Sequence, residues 1–167
     1  MRVLGIDPGT VTMGYGVIEE TGNSLEVITY GVIEAPPRSP IGERLCFIYE
    51  KLQKLVKQYK PDITAIEQPF VAKNVKSALA IGRSQAIAIL AASNRSIPVF
   101  EYTPAQVKQR VSNYGGSSKE QIQEMVKLQL GLAAVPEPND AADALAVALC
   151  HLSENRLTQL LQRGIRQ

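Results

Sequence analysis

Four carboxylates stand where packing alone would place something else: Asp7, Glu67, Asp140 and Asp143. Asp7 closes the apolar run Val3-Leu4-Gly5-Ile6 and precedes Pro8-Gly9-Thr10, so it sits at the end of a strand where the backbone turns. An aspartate there also suits an Asx-turn, so its position alone assigns no chemistry. Glu67 ends a second apolar run, Ile63-Thr64-Ala65-Ile66, although glutamate is depleted from strands. Asp140 and Asp143 are three residues apart in a stretch otherwise rich in Ala, Leu and Val. On a helix that spacing puts them about 60° apart around the axis and about 4.5 Å along it, on one face. The helix dipole accounts for Asp140 in a first turn behind the expected cap Asn139. It does not account for Asp143, further in among alanines, where an unpaired carboxylate is strongly disfavoured by desolvation.

A divalent cation site resolves that conflict. If the first and fourth strands are neighbours and the last helix packs over their ends, the four acids converge, and together they cannot stay ionised without cations. All-oxygen ligands suit Mg²⁺, with Mn²⁺ as a substitute, and no Cys/His spacing points to structural zinc. Two such ions about 3.5 to 4 Å apart would activate a water and stabilise the leaving oxygen of an in-line phosphoryl displacement, which is nuclease chemistry. His151 is too far to share the metal, because eleven residues beyond Asp140 is about 16 Å along a helix. It reads as a residue at the helix C-terminus. The glycine-rich stretch from Gly5 to Gly16 matches neither of the common phosphate-loop spacings.

Charge is distributed unevenly around these acids. The net charge is +2, but residues 1–67 carry seven Lys/Arg against nine Asp/Glu, and residues 120–167 carry four against six. Between them lie Lys73, Lys76, Arg83, Arg95, Lys108, Arg110 and Lys119, opposed only by Glu101. A basic belt between acidic ends points to a polyanion surface beside a carboxylate site.

The elements that must position these residues follow from periodicity. Val3 to Ile6, Gly14 to Ile18 and Val27 to Ile33 read as three strands joined by turns at Pro8-Gly9 and Gly22-Asn23. Leu45, Ile48, Leu52, Leu55, Val56 and Tyr59 recur at helical spacing until Pro61 stops the helix. A strand over 63–67 follows, then an Ala-rich helix from Asn74 or Ser77 to about Ala92, and a fifth strand over 98–102. Thr103-Pro104 and Ser117 or Ser118, with Glu120 or Gln121 downstream, open two more helices. The last helix is expected to run to about His151, leaving residues 156–167 as a basic, loose tail to a single domain over residues 1–155. This order predicts an α/β fold with a mixed five-stranded sheet and helices on both faces.

With 167 residues, 45% hydrophobic and 20% charged, the composition is that of one compact domain. The longest uninterrupted apolar runs are seven residues, so no membrane partner is expected, and without a signal-peptide pattern the expected location is the cytoplasm. Cys46 and Cys150 read as separate, reduced core residues.

Several motifs together carry a resemblance. Gly5-Ile6-Asp7-Pro8-Gly9-Thr10, Ala65-Ile66-Glu67-Gln68-Pro69-Phe70, Val71-Ala72-Lys73-Asn74, Gln106-Val107-Lys108-Gln109 and Asp140-Ala141-Ala142-Asp143-Ala144-Leu145-Ala146 closely resemble the RuvC family of bacterial Holliday junction resolvases, in order and across nearly the whole chain. The resemblance implies a ribonuclease H-like fold and a homodimer. It also implies Mg²⁺-dependent cleavage of four-way DNA junctions by paired nicks in strands of like polarity, leaving 5′-phosphate ends. Asp7, Glu67, Asp140 and Asp143 fall on the family's metal-binding catalytic acids. Phe70 falls on an aromatic used against bases near the crossover, in keeping with stacking on opened strands. Lys108 and Lys119 match basic positions, and Lys73 and Asn74 lie on a loop beside the site; with Lys76, Arg83 and Arg110 these complete the expected DNA-binding set. Pro69 departs from the apolar branched residue frequent in relatives. The Ala-rich helix is the expected dimer interface, and the RuvA–RuvB branch-migration complex the expected protein partner. Two other readings are a non-catalytic junction-binding module and a ribonuclease H-like nuclease acting on another nucleic acid.

Overall fold

The computed structural model describes residues 1–68 and 75–164, with side chains to Gln162. The chain runs β1 (Arg2–Asp7), β2 (Thr12–Thr21), β3 (Ser24–Glu34), α1 (Ile41–Tyr59), β4 (Ile63–Glu67), α2 (Val75–Ser93), β5 (Val99–Tyr102), α3 (Pro104–Ser112), α4 (Lys119–Gln129) and α5 (Asn139–Gly164). The five strands form one sheet in the order β3-β2-β1-β4-β5. β1, β2 and β3 are an antiparallel meander, while β4 joins β1 in parallel and β5 joins β4 in parallel. This is the predicted mixed sheet.

Strand alternation divides the core in two. Leu4 and Ile6 of β1, Met13 and Val17 of β2 and Ile66 of β4 face α1 and α2, where they meet Ile48, Leu52, Val56, Ala88 and Ala91. Val3, Ile18 and Ala65 face the other way, toward Val107 and Val111 of α3, Ile122 and Val126 of α4, and Leu145 and Leu149 of α5. Asp7 shares its face with Val3 and Gly5, and Glu67 shares its face with Ile63 and Ala65. The parallel register pairs Val3 with Ile63 and Ile6 with Ile66. Continued one residue, it sets Asp7 beside Glu67 under α5.

The glycines of β1 and β2 are the seat of that helix. A Cβ at Gly5 would fall 2.0 Å from the Ala144 carbonyl oxygen, one at Gly14 1.9 Å from that of Asp140, and one at Gly16 2.6 Å from Leu145 Cδ2. Hydrogen in place of a side chain at these positions, together with Ala141, Ala144 and Ala148 on α5, lets the helix lie close on the sheet. The glycine spacing that fits no phosphate loop is thus a packing surface.

Local signals set the element ends. Thr103 and Ser118 each form a full capping box, with Gln106 and Gln121 respectively. Lys60 adopts the left-handed conformation at φ 46° to end α1, just before Pro61. Several expectations are corrected. Asn139 does not cap α5: the Pro138 carbonyl accepts from Ala141 N–H at 2.9 Å, and the Asn139 side-chain carbonyl instead accepts from Gln123 Nε2 at 3.1 Å. α5 does not stop near His151 but continues to Gly164. Residues 156–164 thus belong to this helix, and Arg156 pairs with Glu20 of β2 at 2.5 Å. Cys46 is exposed, and only Cys150 is a core cysteine. α2 has the length and composition of a helix able to cross a membrane, although its apolar runs are short. Here Ala78, Ser84, Gln85, Ala88, Ala91 and Ala92 are buried within this fold.

Candidate active site

The carboxylates converge at the edge of the sheet where the parallel strands end, the usual location of a site in an open α/β sheet. One carboxylate oxygen each from Asp7, Asp140 and Asp143 lies within 4.8 Å of the other two. Glu67 is outside that trio but adjoins it, lining a hollow of about 230 Å³ with Asp143, Lys108 and Lys119 beneath Pro104, Val107, Ile122 and Ala146. Three elements distant in sequence therefore supply the acids: the ends of β1 and β4, and one face of the first turns of α5.

The electrostatics are those of an incomplete charge balance. Burial foremost, and then the charges of Glu67, Asp143 and Asp140, push Asp7 up to about 8. Burial and Asp143 push Glu67 up to about 7, against the opposing pull of Lys119 and Lys108. Asp143 is raised by burial too, and is relieved by Lys119, whose Nζ donates to Oδ2 at 2.6 Å. Burial alone would lower Lys119, but its bond to Asp143 and the charges of Asp143, Asp7 and Asp140 hold it above the ordinary lysine range. Asp143 is thus not the unpaired carboxylate that its sequence surroundings imply. The donors are all oxygen and clustered, and their negative charge exceeds what the lysines supply, which fits a hard divalent cation.

The expected nucleic-acid residues divide. Lys108 and Lys119 stand at the hollow. Lys76 and Arg83 are exposed on α2, on the opposite side of the sheet from α5. As the crossover helix after β4, α2 begins at the same sheet edge as the acids, so Lys76 in its first turn lies nearer them than Arg83 does. Arg110 is held away: its Nε donates to Glu154 Oε1 at 2.6 Å, and Glu154 is eleven residues past Asp143, about 16 Å along α5. Among the described residues, the basic side chains therefore do not form one continuous surface. Phe70, Lys73 and Asn74 lie outside the described residues.

His151 is no helix terminus. It is 4% exposed, its Nδ1 shares a hydrogen bond with Tyr102 Oη at 2.7 Å, and its ring packs on Phe100 with centroids 4.7 Å apart. Nothing local in sequence marks this pair, because its members are 49 residues apart.

Similarity to known proteins agrees with this geometry. The family described as crossover junction endodeoxyribonuclease RuvC matches residues 3–151. A Dehalococcoides mccartyi protein of that name is 53% identical over 164 residues, 98% of each chain. One from Thermomicrobium roseum is 48% identical over 160 residues, 96% of this chain and 98% of its own. Among solved structures, Thermus thermophilus RuvC in complex with a Holliday junction substrate superposes with a TM-score of 0.89 at 33% identity, covering 95% of this chain and 96% of that one. A yeast mitochondrial Holliday junction resolvase, 14% identical with a TM-score of 0.66, shares the fold. A ribonuclease H-like sheet, acids at the parallel strand ends, and this likeness over almost the entire chain lead to one assignment: the chain belongs to the RuvC family of crossover junction endodeoxyribonucleases.

Proposed function

We propose that this chain resolves four-way DNA junctions by metal-dependent hydrolysis, nicking two strands of like polarity and leaving 5′-phosphate ends. The observation that carries the reading is the gathering of Asp7, Asp140 and Asp143 within 4.8 Å, with Glu67 beside them and Lys108 and Lys119 at the mouth. Asp7, Asp140, Asp143 and Glu67 would hold two Mg²⁺ ions, with Mn²⁺ as a substitute. When bound, such ions supply an activated water and neutralise charge on the leaving oxygen. The water oxygen joins the phosphorus, the bond to O3′ breaks, and the phosphate stays on the 5′ side. Lys108 draws the phosphate backbone to the hollow as a fixed positive charge. Lys119 restrains Asp143 and balances its charge before cations arrive. Phe70, three residues after Glu67 in sequence, is the proposed stacking contact; Lys73, Asn74, Lys76 and Arg83 are further proposed DNA contacts.

A homodimer supplies the second cut, since a junction has approximate two-fold symmetry and one site cannot cut two strands at once. Its support is the outer face of α2. Val75 is 65%, Leu79 60% and Leu90 48% exposed, and Val75, Leu79, Ala86 and Leu90, at spacings of four, seven and four, lie along one exposed face, as in a helix–helix seam. A cytoplasmic setting and the RuvA–RuvB complex as partner complete the proposal.

Purified protein, a synthetic four-way junction and Mg²⁺ test it, with linear duplex and single strand as competitors at one salt concentration. Symmetric nicking of the junction, lost in Asp7→Asn, is the expected result. Equal cutting of linear DNA, or cutting that survives Asp7→Asn, overturns it.

A further inference from the structure

Asp7, Asp140 and Asp143 owe their mutual distances to the glycine seat of α5 on β1 and β2. Glu67 does not. It stands on β4, outside the tight trio, tied on one side to Asp7 through the β1–β4 pairing and on the other to β5. The β5 residue in register with Glu67 is Tyr102, whose carbonyl also accepts the Gln68 N–H at 2.8 Å. The Tyr102 hydroxyl bonds His151 Nδ1 at 2.7 Å. Eleven residues separate His151 from Asp140, placing the two within about 20° of each other around α5.

We infer that the Tyr102–His151 hydrogen bond is a strap between β5 and α5 that sets Glu67 against Asp140 and Asp143, making Tyr102 and His151 positioning residues for the metal-binding acids. The inference rests on the metal-site reading above. Packing alone does not explain the pair. His151 is 4% and Tyr102 7% exposed, and His151 Nε2 is buried without a partner, a cost that apolar residues of similar volume would avoid. What the polar pair adds is a link of fixed length and direction, with Phe100 against the imidazole holding its orientation. Burial keeps the imidazole below its ordinary value and the phenol above its own, so both stay neutral and the link persists near neutral pH.

Tyr102→Phe, His151→Leu and His151→Asn test the strap, with Leu52→Ala on the opposite sheet face as a control for lost stability. Mn²⁺ affinity of the free protein, measured by calorimetry, is read beside junction affinity, cleavage rate and Tm. Tyr102→Phe and His151→Leu are expected to weaken Mn²⁺ binding and slow cleavage about 10-fold, the scale of outer-shell effects on metal sites, with junction affinity unchanged. His151→Asn, whose amide can occupy the Nδ1 position, is expected to retain both. Leu52→Ala is expected to lower Tm while leaving Mn²⁺ affinity at the wild-type value. If Tyr102→Phe and His151→Leu lower Tm alone, the strap is overturned. Wild-type protein that takes up no Mn²⁺ would refute the metal-site reading itself, and the strap with it.

Discussion

Lys119 at the start of α4 donates to Asp143 of α5 at 2.6 Å, and one turn further along α4 and one turn back along α5 Gln123 donates to Asn139 at 3.1 Å. The two helices are thereby locked antiparallel, with an ammonium held against the acid that its own helix leaves uncompensated. Lys119 is half exposed, with 50% of its side chain accessible, so the pair matters less for stability than for the charge of the site.

From that follows an opposition between metal uptake and catalysis. Lys119→Ala removes the cation that competes for Asp143, so Mn²⁺ binding to the free protein is expected to tighten a few-fold. Junction cleavage should fall at the same time, because the phosphate loses a positive partner. Calorimetry and single-turnover cleavage on one preparation check both directions.

Asp7→Asn should lower cleavage by more than about 100-fold, beyond the outer-shell scale, since a ligand itself is lost. Junction binding in EDTA should persist. The thermal shift produced by Mg²⁺ in wild-type protein should shrink or vanish, which differential scanning fluorimetry measures directly.

The metal-free protein should lose stability as pH rises. Asp7 sits near 8 when folded against 3.8 unfolded. Between those values the native state keeps a proton that the unfolded chain has released, so unfolding becomes easier with increasing pH. Glu67, raised to about 7, acts in the same sense. His151 acts oppositely: held below its ordinary 6.5 by burial, it lowers stability as pH falls below that value. Melts from pH 5 to 8.5 in EDTA, for wild type and Asp7→Asn, separate the two; the difference curve should widen toward high pH and flatten on adding Mg²⁺.

Gly14→Ala should be among the most damaging small changes in the chain. Its Cβ would fall 1.9 Å from the Asp140 carbonyl oxygen, and backbone cannot yield as a side-chain tip can. A loss of about 3 kcal/mol or more is expected, with α5 lifted and Asp140 drawn away from Asp7. Chemical denaturation and Mn²⁺ affinity report the two effects.

Thr64→Val should stabilise the fold. Thr64 is 1% exposed among apolar neighbours under α1 and α2, and its hydroxyl has no partner. Replacing it with a methyl group of the same shape is expected to add about 1 kcal/mol, raising Tm by about 2–4 °C without changing cleavage.

Features that depend only on neighbours along the chain can be read from the residues directly. The meander, the crossover helices, the stop at Pro61 and the Ser118 cap are local matters of period, turn chemistry and capping, and they were legible. So were the four acids, since each is the wrong residue type for its immediate surroundings. The partners arise only from packing. Lys119 reaches Asp143 across 24 residues, Arg110 is drawn to Glu154 across 44, and Tyr102 finds His151 across 49. Arg156 of α5 meets Glu20 of a distant strand across 136 residues, and the glycines of β1 and β2 acquire their purpose only when a helix from the far end of the chain lies on them. Periodicity records which face of an element is apolar, but the distance and charge of whatever covers that face arise only when the elements pack.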